Sequence, residues 1–351
     1  MKVFEKEKQL CFDDILMVPQ HADIESRSDI DLKMHIGKGR VCHGLSTPII
    51  AAPMDTVCES AMAIAMRENG GLGIIHRYNT IDKQIQEAKK VAAKQLSFGV
   101  AVGARGDYLD RALCLVIEGA SVVLVDTANG HSQYTVDAVS KLRRHLGNNI
   151  HIMAGNVSTY DGFARLQDAG ADSIRVGIGG GSVCTTRIMT GHGIPTLASI
   201  MSIKSKIQDR LHASIIADGG IRNSGDAVKA FAAGASAIML GSKLAGTEEA
   251  PGSVYINEHG RFKSFRGMAS REAQESAFGR VSVAEGVSTM VEYTGKVKDT
   301  LDEFRGGIAS GCSYTGVKQL KDLYEEAMFV EVTPLSINES KPHAKNKEKY
   351  V

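Results

Sequence analysis

The chain has 351 residues, 43% of them hydrophobic, enough for one large barrel or about two smaller domains. Lys and Arg number 41 against 40 Asp and Glu, so the net charge of +1 offers no basic field for nucleic acid, and no apolar run is long enough to span a membrane. Six cysteines (11, 42, 58, 114, 184, 312) are scattered without CxxC pairs, which argues against zinc or a disulfide framework and makes a reducing cytoplasm the default.

The opening Met1-Lys-Val-Phe-Glu-Lys-Glu-Lys lacks a signal-peptide core. From there, short apolar runs alternate with amphipathic stretches. Strands are predicted at 48–51, 73–75, 98–102, 122–125, 150–154, 174–176, 215–217 and 237–240, and helices between them include 82–94, 133–146 and 226–233. Three segments share one pattern: Glu118-Gly-Ala-Ser-Val-Val-Leu-Val-Asp126, Ala169-Gly-Ala-Asp-Ser-Ile-Arg-Val-Gly177 and Ala233-Gly-Ala-Ser-Ala-Ile-Met-Leu-Gly241. Each reads as a helix end, a Gly-Ala turn, a buried strand and a polar or glycine residue. Their recurrence fits alternate units of an α/β fold, a closed (β/α)8 TIM barrel forming a single domain over 1–351. A doubly wound sheet is the rival, but no G-x-G-x-x-G follows the first strand.

In such a barrel the chemistry sits where strands end. Val176-Gly-Ile-Gly-Gly-Gly-Ser-Val-Cys184-Thr-Thr186-Arg187 places a cysteine on a glycine-rich loop directly after a strand. A thiol beside Arg187 and two hydroxyls reads as a nucleophile, because nearby positive charge favours the thiolate. Asp218-Gly219-Gly220 and Gly241-Ser242 follow the last two strands, where backbone amides hold phosphate and Asp218 can accept from ribose hydroxyls. Residues 251–308 are polar and glycine-punctuated, and read as a mobile flap; 335–351 is a lysine-rich flexible tail.

The runs GGGSVCTTR, IIADGGIR, SAIMLGS, FRGMAS and FDDILMVP resemble the IMP dehydrogenase/GMP reductase family from about residue 10 to 332. The resemblance implies that Cys184 attacks purine C2 to give a covalent thioimidate-type intermediate, while Thr186 and Glu285 relay protons. It implies substrate contacts at Asp218, Gly219, Gly220, Gly241, Ser242, Gly267, Met268, Ala269 and Gly286. It further implies a nicotinamide cofactor at Ser26, Arg27, Arg77, Asp126, Thr127, Ala128, Ile178, Gly179, Ser310, Gly311, Cys312 and Ser313. A monovalent cation, K+, is expected at Gly179, Gly181, Cys184 and Arg187, although Gly180 stands where the family usually has proline. A homotetramer is implied as well, with no membrane or nucleic-acid partner.

Three features favour the reductase branch of this resemblance, in which NADPH converts GMP to IMP and ammonia. From Met268 to Glu285 the flap spans only 17 steps and holds no Arg-Tyr pair to activate water; Arg280 is followed by Val281. Ser26-Arg27-Ser28 resembles a 2′-phosphate-binding pattern, and Arg27 and Arg77 have the forked charge that suits phosphate. Pro53, His131 and the tail 338–343 lean toward the other branch, whose members oxidise IMP to XMP with NAD. A non-catalytic nucleotide sensor is the alternative from another class. Only one helix is expected between Tyr78 and Phe98, so the paired CBS module that many dehydrogenases insert there is absent.

Overall fold

The computed structural model describes residues 8–37, 41–207, 213–279 and 283–341. Its centre is a closed barrel of eight parallel strands: β4 (Ile49–Ala51), β5 (Leu72–Ile75), β6 (Gly99–Val102), β7 (Val122–Asp126), β8 (His151–Val157), β9 (Ser173–Val176), β10 (Ser214–Asp218) and β11 (Ala237–Leu240). They are joined in chain order, and β11 pairs back onto β4 to close the ring. All eight runs predicted from the sequence are strands, because a barrel strand is buried on both faces and reads as a continuous apolar stretch. Alternate residues serve two cores. Ile50, Leu72, Ile74, Ala101, Val122, Leu124, Met153 and Ile216 fill the interior, while Ile49, Ala51, Ile75, Val123 and Val125 pack against the helices.

The covering helices are α1 (Ser60–Glu68), α2 (Ile81–Ala92), α3 (Tyr108–Ile117), α4 (Gln133–Leu146), α5 (Tyr160–Asp168), α7 (Thr196–Lys206) and α8 (Ser224–Ala232), while the short α6 (Thr186–Thr190), with no buried residue, lies on the loop after β9. Several start where a short polar side chain takes an orphan amide: Thr80 accepts from Lys83 N, Thr159 from Gly162 N and Asn223 from Asp226 N. β5 and β6 are connected by α2 alone, so no module is inserted there.

Two short strand pairs flank the barrel. β1 (Ile15–Met17) pairs with β15 (Phe329–Glu331), and β2 (Met34–Ile36) with β3 (His43–Leu45). Ile36 and Leu45 of the second hairpin complete the interior cluster. Beside that hairpin, His151 is fully buried, bonded to the Val41 carbonyl at 2.9 Å and to Ser173 Oγ at 2.7 Å. Burial, reinforced by His151, pushes the His43 imidazole down from 6.5 to about 4. At pH above 6.5 both folded and unfolded His43 are neutral. As pH falls from there toward 4, the unfolded chain takes up a proton that the fold refuses, and stability drops by on the order of 3 kcal/mol. Urea denaturation at pH 7 and pH 4.5 measures this: His43→Gln should flatten the decline, and an identical decline in both proteins would contradict the assignment.

The segment predicted as one flap over 251–308 is composite. β12 (Tyr255–Asn257), β13 (Gly260–Arg266) and β14 (Ser288–Glu292) form an antiparallel sheet, with α10 (Arg271–Phe278) between the last two. α9 (Ser242–Ala245) precedes them, and α11 (Val297–Thr315) follows. Residues 297–308 therefore do not belong to a lid. Val297, Leu301, Phe304 and Ile308 recur at helical spacing and are buried, so this stretch is a packed helix. The sheet is rooted by Lys263, a buried ammonium that donates to the carbonyls of Thr247 at 3.0 Å, Glu248 at 3.4 Å and Ala250. The flap positions Arg280 and Val281, and tail residues 342–351, lie outside the described residues.

Candidate active site

At the C-terminal ends of the strands lies a cavity of about 830 Å³, toward the upper end of the range for small-molecule sites. Nearly every strand contributes: Ala52–Met54 after β4, Arg77 and Tyr78 after β5, Asp126–Ala128 at the end of β7, Asn156 on β8, Gly177–Cys184 after β9, Asp218–Ile221 after β10, and Gly241 and Ser242 after β11. The flap closes it with Phe265, Gly267, Met268, Ala269, Gln274, Val283 and Glu285.

The cysteine loop turns sharply as it leaves β9. Gly177 has φ +139°, and a Cβ there would lie 2.0 Å from the Asp218 carbonyl oxygen, so no other residue fits. The returning arm is held by backbone: Cys184 N donates to Gly181 O at 3.1 Å. One flap segment, 285–287, then pairs with it and with the flap backbone at Ala269. Thr185 N donates to Glu285 O at 3.0 Å, Val287 N to Val183 O at 3.0 Å, and Glu285 N to Ala269 O at 3.0 Å. These bonds carry side chains 99 positions apart into one chain of contacts. The Cys184 thiol donates to Thr186 Oγ1 at 3.2 Å, and the Thr186 hydroxyl donates to Glu285 Oε2 at 2.8 Å.

A second polar chain crosses the floor. Arg175 on β9 donates from Nη1 to Asp126 Oδ1 at 2.6 Å, and from Nε and Nη2 to Asp218 Oδ2 at 3.1 and 2.8 Å. Asn156 Nδ2 adds a third bond to that oxygen at 2.7 Å, which leaves Asp218 Oδ1 for a ligand hydroxyl. Arg77 Nη2 donates to the Asp126 carbonyl at 3.3 Å, while its Nε lies 3.4 Å from Asp126 Oδ2 without making a hydrogen bond. Burial alone would raise Asp126, but the Arg175 and Arg77 guanidiniums outweigh it and hold the carboxyl below its ordinary range. Burial pushes the Tyr78 phenol up to about 12, although Arg77 lies 4.8 Å over its ring.

The expected residues divide into three groups. Cys184, Thr186, Glu285, Asp218, Gly219, Gly220, Gly241, Ser242, Gly267, Met268 and Ala269 meet at the cavity, as do Arg77, Asp126, Thr127, Ala128, Ile178, Gly179 and Gly181. Gly286 stands just behind, bridging the backbones of Cys184 and Ser270. Ser26, Arg27 and 310–313 lie elsewhere. Ser26 caps an exposed turn, Arg27–Asp29, that packs on α11, and 310–313 are part of that helix. The Cys312 side chain is fully buried among core residues, so it cannot touch a ligand.

Arg187 corrects an expectation. Its guanidinium does not face the thiol; it donates to the carbonyls of Ile178 at 3.2 Å and Ile194 at 2.9 Å. Its own carbonyl accepts the Gly191 amide at 3.1 Å, so the side chain is a brace for the loop rather than a thiolate partner. Arg175, Ser182, Tyr78 and Gln274 line the cavity without having been singled out from sequence. Only Arg175 carried a signal, a charged residue in an otherwise apolar strand.

A closed parallel barrel with a cysteine and a threonine on a glycine loop, faced by a flap-borne carboxylate, is the architecture of a barrel enzyme whose site lies at the strand ends. Residues 9–343 match the family model "IMP dehydrogenase / GMP reductase domain". An IMP dehydrogenase of Nitrosopumilus maritimus is 31% identical over 97% of this chain and 99% of its own. One from Rhizobium tropici is 45% identical over 73% of this chain and 53% of its own. Among solved structures, a GMP reductase variant from Trypanosoma brucei in complex with guanosine 5′-monophosphate superposes with a TM-score of 0.88, at 28% identity, covering 97% of this chain and 98% of that one. The chain belongs to the IMP dehydrogenase/GMP reductase family, purine-nucleotide oxidoreductases that use nicotinamide dinucleotides.

Proposed function

We propose that this protein is a GMP reductase, converting GMP to IMP and ammonia at the expense of NADPH. The observation that carries the reading is the Cys184–Thr186–Glu285 chain, at 3.2 and 2.8 Å, beneath a flap with no Arg-Tyr pair. It offers a nucleophile and a route for a proton, but no evident base for water.

In this reading the GMP phosphate rests on the backbone of Gly219, Gly220, Gly241 and Ser242, with Ser182 beside them. Asp218 Oδ1 takes a ribose hydroxyl, and Gly267–Ala269 cover the base. The Cys184 thiolate adds to purine C2. The departing amine takes its proton through the Thr186 hydroxyl, from Glu285, and leaves as ammonia. Hydride at C2 and rupture of the S–C2 bond then return the thiolate and give IMP. The flap pairing keeps water from the adduct meanwhile.

The remaining residues suit a dinucleotide: beyond the cysteine loop the cavity continues to Thr127 and Ala128, and the Arg77 guanidinium, whose Nε lies 3.4 Å from Asp126 Oδ2, stands beside them. Bound NADPH supplies the hydride. The loop carbonyls near Gly179, Gly181 and Cys184 would hold a monovalent cation, which would steady the loop; no step is routed through it.

The names of the curated relatives favour a second reading, IMP oxidation with NAD. Purified protein given GMP with NADPH, and separately IMP with NAD, decides between them. Turnover of the first pair, with IMP and ammonia formed in equal amounts, is expected. Turnover of the second pair alone would overturn the assignment.

A further inference from the structure

The segment Phe12–Asp14 is remote in sequence from the cavity and does not line it, yet it is built against the loop after β10. Its shape is fixed locally: Asp14 N donates to Cys11 O at 3.1 Å and Cys11 N to Asp14 Oδ2 at 2.7 Å. Downstream it is pinned by the β1–β15 pairing, extended by Val332 N donating to Asp14 O at 2.9 Å. The turn thereby buries Phe12, which is 4% exposed, and offers Asp13 to the barrel.

Three contacts join this turn to the β10–α8 connection. A Cβ placed on Gly220 would lie 3.5 Å from Phe12 Cε2, so the ring stands directly behind that glycine. Arg222, two residues on, donates to both Asp13 oxygens at 2.9 and 2.5 Å, and also to Asp226 Oδ2 at 3.2 Å. From α8, Lys229 Nζ donates to the Phe12 carbonyl at 2.7 Å. On its other side the same loop abuts the cysteine loop: a Cβ on Gly219 would lie 3.1 Å from Gly180 C. Gly219 and Gly220 have φ of +93° and +83°, a conformation open to many alternatives, so their amides are ordered by what packs on either side.

We infer that Phe12 and Asp13 are positioning residues for the nucleotide phosphate, a strap that holds the Gly219–Gly220 amides in their anion-binding arrangement through Arg222. Neither residue touches the ligand. The inference rests on the reading that the phosphate sits on this loop.

The test compares GMP with guanosine, which lacks only the phosphate, by calorimetric titration of wild-type protein, Asp13→Ala and Asp13→Asn. The two variants guard against a folding failure peculiar to either, and each is checked for an unchanged melting profile. In wild type, GMP should bind much more tightly than guanosine. In both variants GMP affinity should fall about tenfold, while guanosine affinity stays within about twofold, since only an anion reads the loop's amides. Equal weakening of both ligands, or of neither, overturns the strap. Wild-type protein that binds GMP no better than guanosine overturns the phosphate reading itself and the strap with it.

Discussion

Cys184→Ala will abolish turnover while leaving nucleotide binding intact. Removing a nucleophile deletes the covalent route altogether, and comparable deletions in other enzymes lower kcat by about 10⁴-fold or more. Binding should change by less than about threefold, because the cavity is defined by backbone from several strand ends and by Asp218, none of which depends on the sulfur. Acid quench of a single turnover followed by mass analysis should find a nucleotide adduct on the Cys184 peptide of wild type and none in the variant. A variant within about tenfold of wild-type kcat would remove the covalent mechanism. Thr186→Val provides a graded companion: the thiol stays, but the bond to Glu285 Oε2 goes, so adduct should form while ammonia release slows.

The second large effect concerns Arg175. In Arg175→Met the Asp126 and Asp218 carboxylates lose the guanidinium between them, and stability should fall by about 3–5 kcal/mol, the usual consequence of stranding a buried charge. The pH dependence has a definite sign. The folded-state pKa of Asp126 is depressed, so its contribution is present above the unfolded carboxyl pKa and is lost as pH falls through the lower, folded value. The variant should therefore lose less stability than wild type on acidification, because Asp126, left with Arg77 alone, gains less from ionisation. Urea midpoints measured from pH 7 downward test this. Arg175→Lys should be intermediate, since an ammonium lacks the fork that reaches two carboxylates at once. A Met variant as stable as wild type at pH 7 would show the network to be dispensable.

These two residues also mark where the sequence is legible and where it is not. The barrel is readable because each strand, packed inside and out, is an uninterrupted apolar run closed by a polar or glycine residue. Cys184 is readable because four glycines around it strip away every competing explanation for the loop. Arg175 is hidden inside such a run. Its partners, Asp126 and Asp218, lie 49 and 43 positions away, and only closure of the barrel brings them to one guanidinium. The reach of the flap is overstated for the opposite reason: three glycines and several charges interrupt the apolar pattern of α11 and mask its buried stripe at Val297, Leu301, Phe304 and Ile308. Gln274, whose Nε2 joins the Ala269 and Val283 carbonyls across the flap, offers no pattern at all, being one polar residue on a polar helix.

The pairing of the flap with the cysteine loop has a consequence for timing. Glu285 reaches Thr186 because its own backbone is stitched to Thr185, and Val287 to Val183. In the proposed mechanism, the stitches that shut the cavity are thus the same ones that bring Glu285, as the acid, beside the sulfur. A chamber open enough to exchange its contents has no working proton supply, and a chamber with one cannot exchange them. Reaction and traffic must alternate, so the frequency of unstitching caps the rate however fast the bonds to carbon are made and broken.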